Sequence, residues 1–219
     1  GLDAELGAML GMELRNPDYP HAPVKLAQVA AHSSGLTDEA GYLVPPDEAV
    51  ADWLAHRLGH AFGPHAPGAR FAYSNLGYLL LATAAERLAD IPFDHLARAH
   101  VLDRAGIEGG FNWSGITAAA RADRMPAFRR TPRGFVPQID ATVAEDGVSG
   151  PDGSPAILGP YRIGTDVARL SPPGGLRLTL PGMLALARSL TPEPPLWRAG
   201  DGPVEGPADV FESYGLGLQ

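Results

Sequence analysis

The sequence predicts a mainly α-helical chain with long loops and a few short strands. Three observations lead there. Apolar residues recur at helical spacing in several separate stretches, at intervals of three and four positions. Glycine and proline are numerous, 27 and 22 of 219 residues, which cuts the chain into short elements joined by turns. Between residues 106 and 175 the helical period dissolves into a region rich in Gly, Pro, Asp and Arg.

Taken in order, residues 1–20 read as a short helix and a turn. Leu2, Leu6, Met9 and Leu10 share one face, and Asn16-Pro17-Asp18-Tyr19-Pro20 supplies turn chemistry. Residues 24–32 form a second short helix, ending at Ser33-Ser34-Gly35, where Gly35 can take the left-handed cap. Residues 46–58 form a third. Pro46 opens it, Asp47 and Glu48 occupy the first turn, and Val50, Trp53, Leu54 and Leu58 make its apolar face. A Pro/Gly loop covers residues 63–71. The strongly apolar stretch 76–89 then predicts a helix buried on most sides, with Asn75 as its N-cap. Residues 93–101 predict an amphipathic helix, and residues 134–139 a short strand. Thr179 opens the last helix, with Pro181 in its first turn and Met183, Leu184, Leu186 and Leu190 turned inward. The stretch Tyr214-Gly215-Leu216-Gly217-Leu218 reads as the start of a strand.

Composition narrows the function classes. Apolar residues make up 45% of the chain, enough for a core. The net charge of -8, with no run of Lys or Arg, argues against nucleic acid and anionic membrane surfaces as partners. With no cysteine there is no disulfide and no thiolate metal site. No stretch approaches the roughly 20 apolar residues that span a bilayer, so no transmembrane segment is expected. The opening residues have neither a basic start nor an apolar run, so no signal peptide is read there.

His56 and His60 stand four apart, with His65 nearby, a spacing that could hold zinc. No Glu follows His56, and Gly59 ends the helix, so these are read as solvated histidines. The expectation is no metal and no cofactor. A His32–Ser34 catalytic pair is set aside because the two lie too close in sequence. Asp146-Gly147 and Asp152-Gly153 are read as turns, and Trp53, Trp113 and Trp197 as core or lid residues.

The triplet Tyr73-Ser74-Asn75 carries the chemistry. Alone it is weak. Its flanks, Phe71 and Ala72 before it and Leu76-Gly77-Tyr78-Leu79-Leu80-Leu81 after it, resemble the second motif of the serine beta-lactamase and penicillin-binding protein superfamily. The likeness is to the branch that holds class C beta-lactamases, D-alanyl-D-alanine carboxypeptidases and esterases. Other segments match in family order. His32-Ser33-Ser34-Gly35-Leu36 resembles the family's His-Thr-Ser-Gly-Leu, and residues 102–111 its Leu-Gly-Met segment. Pro173-Gly174-Gly175-Leu176 with Thr179 resembles Gly-Gly-Leu-x-Ser-Thr, and Tyr214-Gly215-Leu216-Gly217-Leu218 resembles Tyr-Gly-Leu-Gly-Trp.

That resemblance implies an α+β parent fold of the beta-lactamase/transpeptidase type, an antiparallel sheet flanked by helices. Residues 1–219 would be a single domain, mostly its helical region, truncated at both ends. It implies hydrolysis of a beta-lactam, a peptidoglycan peptide or a small ester through an acyl-enzyme, and favours a periplasmic or secreted location, with the cytoplasm left open by the residues themselves. Tyr73 matches the catalytic base and Asn75 the substrate-binding amide. A phenol titrates near 10, so a base working near neutral pH needs roughly three units of help, which the family draws from a Ser-x-x-Lys lysine. The only lysine here is Lys25, with Ala22 three residues before it. No nucleophile is therefore expected in this chain, no Lys-Thr-Gly or His-x-Gly element is present, and the chain alone is expected to be inactive. The uncovered apolar surface of a truncated domain predicts association into homo-oligomers. Two other readings stay open: a non-catalytic member that binds peptidoglycan or peptides, and an unrelated helical interaction domain.

Overall fold

The computed structural model describes residues 1–45, 48–111, 116–138 and 161–190. Their longest element is the helix Asn75–Ala89, which is α4 in chain order. It is apolar on nearly every side, and Leu76, Leu79, Leu80, Ala82 and Ala84 are all buried. Thr83 is buried among them and donates its hydroxyl to the Leu79 carbonyl one turn back, at 2.8 Å.

Three short helices precede it: α1 (Leu6–Leu10), α2 (Leu26–Ala30) and α3 (Val50–Ala55). Leu6 and Leu10 from α1, Val29 from α2, and Val50, Trp53 and Leu54 from α3 join the α4 leucines in one core. The α2–α4 contact is close. A Cβ on Gly77 would lie 3.0 Å from Val29 Cγ1, which accounts for a glycine inside the first turn of the main helix.

The short helices are shorter than their apolar patterns predict. The first covers residues 6–10 only, and Gly11 closes it at φ 65. The second stops at Ala30, and Gly35, at φ 80, belongs to a later turn and is not its cap. The third spans residues 50–55, and Leu58–His60 forms a separate 3-10 turn. Pro46 and Asp47 lie outside the described residues. So do Ile139, Asp146, Asp152, Trp113, Trp197 and the terminal stretch 214–218.

At the start of α4 the predicted cap moves by one position. Ser74 is the N-cap: its backbone is extended, and its Oγ accepts from the Gly77 N–H at 3.1 Å. Asn75 is the first helical residue, so its amide is available for other partners. At the other end Asp90 takes a left-handed conformation, φ 54.

Glu86, also buried on α4, anchors two later segments. Its carboxylate accepts from the Phe93 N–H at 2.7 Å, the Gly164 N–H at 2.7 Å and the Tyr161 hydroxyl at 2.5 Å. Burial pushes the Glu86 carboxyl up, and these hydrogen bonds oppose it. Burial, reinforced by the neighbouring Glu86 charge, also pushes the Tyr161 phenol up. Helix α5 (Phe93–Ala97) thus hangs from α4. It unwinds into a π-helical turn, Arg98–Leu102, where the sequence predicts one continuous helix.

The strands are short. β1 (Gly109–Phe111) pairs antiparallel with β4 (Leu176–Leu178), with Gly109 opposite Leu178. Between them lie α6 (Ala118–Ala122) and the hairpin of β2 (Ala127–Thr131) and β3 (Gly134–Gln138), with Thr131 opposite Gly134. β3 is the strand predicted near residues 134–139.

The last helix, α7 (Leu180–Ser189), starts as predicted: Thr179 Oγ1 accepts from the Gly182 N–H at 3.1 Å, with Pro181 in the first turn. Its predicted inward face is only partly covered: Leu186 and Leu190 are half-buried, but Met183 and Leu184 are not. Leu180, Met183 and Leu184 are 70%, 57% and 52% exposed. The helix packs instead through buried Gly182, where an added Cβ would lie 3.2 Å from Ile107 Cγ2. The result is a helix-rich arrangement with few short strands.

Candidate active site

The N-terminus of α4 is built from three stretches far apart in sequence. Residues 35–37 run antiparallel to residues 61–63, through a Leu36–Phe62 bridge and the Thr37 N–H to Ala61 carbonyl bond at 2.9 Å. Buried Asn16 braces this pair by donating its amide to the Gly63 and His65 carbonyls at 3.0 and 3.1 Å. Asp38 follows directly in a short 3-10 turn, Asp38–Ala40, which sets its carboxylate at the first turn of α4.

That carboxylate is a hub that the sequence reading did not single out. Asp38 Oδ1 accepts from the Leu76 N–H at 3.0 Å and from the Ser74 hydroxyl at 3.2 Å. Asp38 Oδ2 accepts from Asn75 Nδ2 at 2.7 Å. An anion here satisfies a helix N–H that has no partner within the helix and complements the positive end of the helix dipole. Nothing in local sequence marks Asp38. Its partners lie 36 to 38 residues further on.

His32 forms the floor. It is buried, its backbone is left-handed at φ 52, and its carbonyl accepts from the Ala72 N–H at 2.6 Å. Its ring lies 4.8 Å from the Tyr78 ring in a stacked pair, 4.5 Å from Tyr73, and 5.7 Å from Phe71 edge-on. Its Nδ1 accepts from the Ser74 N–H at 3.2 Å. That bond leaves Nε2 to carry the proton of the neutral ring. Burial pushes His32 down from 6.5 to about 4, against the pull of the Asp38 charge. At neutral pH His32 is therefore an uncharged packing and hydrogen-bonding group.

Tyr73 and Asn75 meet on this floor. Tyr73 is 54% exposed, and its hydroxyl donates to Asn75 Oδ1 at 3.3 Å. The two predicted site residues are thus neighbours at the open end of the main helix. The other sequence candidates lie elsewhere. Ser34 is buried and its Oγ accepts from the Leu36 N–H at 3.3 Å, as a turn residue would. His56 faces solvent with Nδ1 2.8 Å from the Asp52 carbonyl, and His60 is exposed on its 3-10 turn. Among the described residues no three His, Asp or Glu side chains gather in a way that could hold a metal ion. An open cavity of about 860 Å³ also lies away from Tyr73, between β1, β4, α6 and α7.

A model of the Beta-lactamase family matches residues 1–219, and the chain belongs to that family. The reading as an unrelated helical interaction domain is thereby overturned. Among solved structures, the beta-lactamase/D-alanine carboxypeptidase from Yersinia pestis, crystallised with citrate, is 21% identical with a TM-score of 0.59, over 99% of this chain and 58% of that one. A D-stereospecific amidohydrolase from Streptomyces sp. is 14% identical with a TM-score of 0.64, over 99% of this chain and 62% of that one. A penicillin-binding protein from Bacillus halodurans is 22% identical with a TM-score of 0.53, over 87% of this chain and 51% of that one. At these identities the likeness establishes the fold, which is beta-lactamase/transpeptidase-like. The chain spans 51% to 62% of the length of these three structures. No curated protein sequence is significantly similar to it.

Proposed function

We propose that this chain carries one wall of the acyl-transfer site of a serine hydrolase, with Tyr73 as general base and Asn75 as the amide that binds substrate. The substrate class is an amide or ester: a beta-lactam, a peptidoglycan peptide or a small ester. The observation that carries this reading is the exposed Tyr73 hydroxyl, bonded to an Asn75 amide that Asp38 holds at the N-terminus of a buried helix. Family membership supports hydrolase chemistry, since fold alone does not assign a reaction.

The 219-residue chain by itself is inactive on this reading. The only lysine, Lys25, has Ala22 three residues before it, so no Ser-x-x-Lys is available to attack or to lower the Tyr73 phenol. Nitrocefin and p-nitrophenyl acetate turnover test this directly. The chain and its Tyr73→Phe variant are expected to give the same background rate, and turnover well above the variant would overturn the inactivity of the chain alone. In a longer protein that does carry Ser-x-x-Lys, Tyr73→Phe is expected to lower kcat by roughly 10²–10⁴-fold, the usual range for losing a general base. The open apolar face of α7 supports a further part of the reading, association with a second copy of this chain.

A further inference from the structure

The hydrogen bonds around Asp38 decide which way the Asn75 amide faces. A carboxylate can only accept, so the group 2.7 Å from Asp38 Oδ2 must be the amide nitrogen. The amide oxygen then faces Tyr73, and the phenol must be the donor in the 3.3 Å contact. Turning the amide over would set its oxygen against the carboxylate, two acceptors at 2.7 Å. Asp38 is itself fixed by the Leu76 N–H and the Ser74 hydroxyl, so it cannot swing aside without unpairing both.

We propose that Asp38 is a positioning residue that locks the Asn75 amide with its oxygen toward Tyr73 and its nitrogen away. The consequence concerns the proton on Tyr73. In the locked orientation Asn75 serves a neutral phenol and offers nothing to a phenolate, which needs donors. A base-competent Tyr73 must then take its donors from groups other than Asn75, while Asn75 stays oriented for a ligand. This deepens the proposed function and rests on it for its catalytic meaning. The orientation itself is a property of the chain without substrate.

NMR on the isotope-labelled 219-residue chain tests it. In the wild type, the Asn75 Nδ2 signal is expected to titrate in step with the Asp38 carboxyl carbon. Independent behaviour of the two overturns the lock, and this arm needs no variant that folds. Asp38→Asn removes the charge and supplies an amide that can donate to Asn75 Oδ1, which lets Asn75 turn its nitrogen to Tyr73. The Tyr73 ring-carbon titration midpoint is expected to fall further on Asp38→Asn in the wild-type background than in an Asn75→Ala background, where there is no amide to turn. An equal fall in the two backgrounds means a charge effect alone and overturns the lock. Failure of the lock leaves the turnover tests above untouched, and failure of those tests leaves the amide orientation standing.

Discussion

Acid should loosen the floor of the site through His32. The ring is 3% exposed, packed between Tyr73 and Tyr78, and its Nδ1 holds the Ser74 N–H. Folding lowers it from 6.5 to about 4. Between those values the unfolded chain binds a proton that the folded chain refuses. The stability this group contributes is therefore complete above the unfolded value and is lost as pH falls through 6.5 toward 4. A gap of about 2.5 pH units corresponds to roughly 3 kcal/mol in full, of which about 2 kcal/mol is lost between pH 7.5 and pH 5. Glu86 works in the opposite sense. Its carboxyl is raised, so its contribution is lost as pH rises, and the raw pH dependence of stability mixes the two. The assay is urea unfolding at pH 7.5, 6.5, 5.5 and 5.0 on the wild type and on His32→Asn. Asparagine tolerates the left-handed backbone at position 32 and cannot titrate. The wild-type advantage over the variant is expected to shrink by about 2 kcal/mol across that range. Parallel pH profiles, agreeing within about 0.5 kcal/mol, would refute the reasoning.

Three other outcomes follow from the packing. Glu86→Leu leaves the Phe93 N–H, the Gly164 N–H and the Tyr161 hydroxyl without their shared acceptor, and is expected to cost roughly 3–5 kcal/mol in denaturant unfolding. Ser74→Ala removes the α4 cap and a bond to Asp38, and should lower stability by about 1–2 kcal/mol by the same measurement. In size-exclusion chromatography the wild type is expected to elute as a dimer or larger, and Met183→Glu with Leu184→Glu on the open face of α7 should shift it to monomer. A wild type that elutes as a clean monomer removes the basis for association.

Much of the main helix was legible because its cause is local. Residues 76–89 are apolar almost without interruption, and the helix covers Asn75–Ala89. Thr179 with Pro181 marks the start of α7, and that prediction also holds, since a cap and its N–H partner lie three residues apart. The shift of the α4 cap from Asn75 to Ser74 shows the limit of such arguments. Both residue types cap helices well, and Ser74 is held in the extended cap conformation by His32, 42 residues earlier. The α7 face held only for half-buried Leu186 and Leu190, for the same kind of reason. Helical spacing identifies an apolar face without saying whether anything covers it, and Leu180, Met183 and Leu184 stand open among the described residues.

For the site, the sequence by itself determined which residues stand together on one short motif. Tyr73 and Asn75 are two positions apart at a helix start, and their hydroxyl and amide do meet. Residue order also determined family membership, because the motif and its flanks lie along the chain in the family's sequence. Only the tertiary structure decided what surrounds them. Asp38 reaches Asn75 and His32 reaches Ser74 across 37 and 42 residues, through a turn braced by Asn16 and by the pairing of residues 35–37 with 61–63. Chain periodicity reports local geometry. The direction in which an amide faces, and the charge state of a buried imidazole, depend on partners that folding brings from elsewhere.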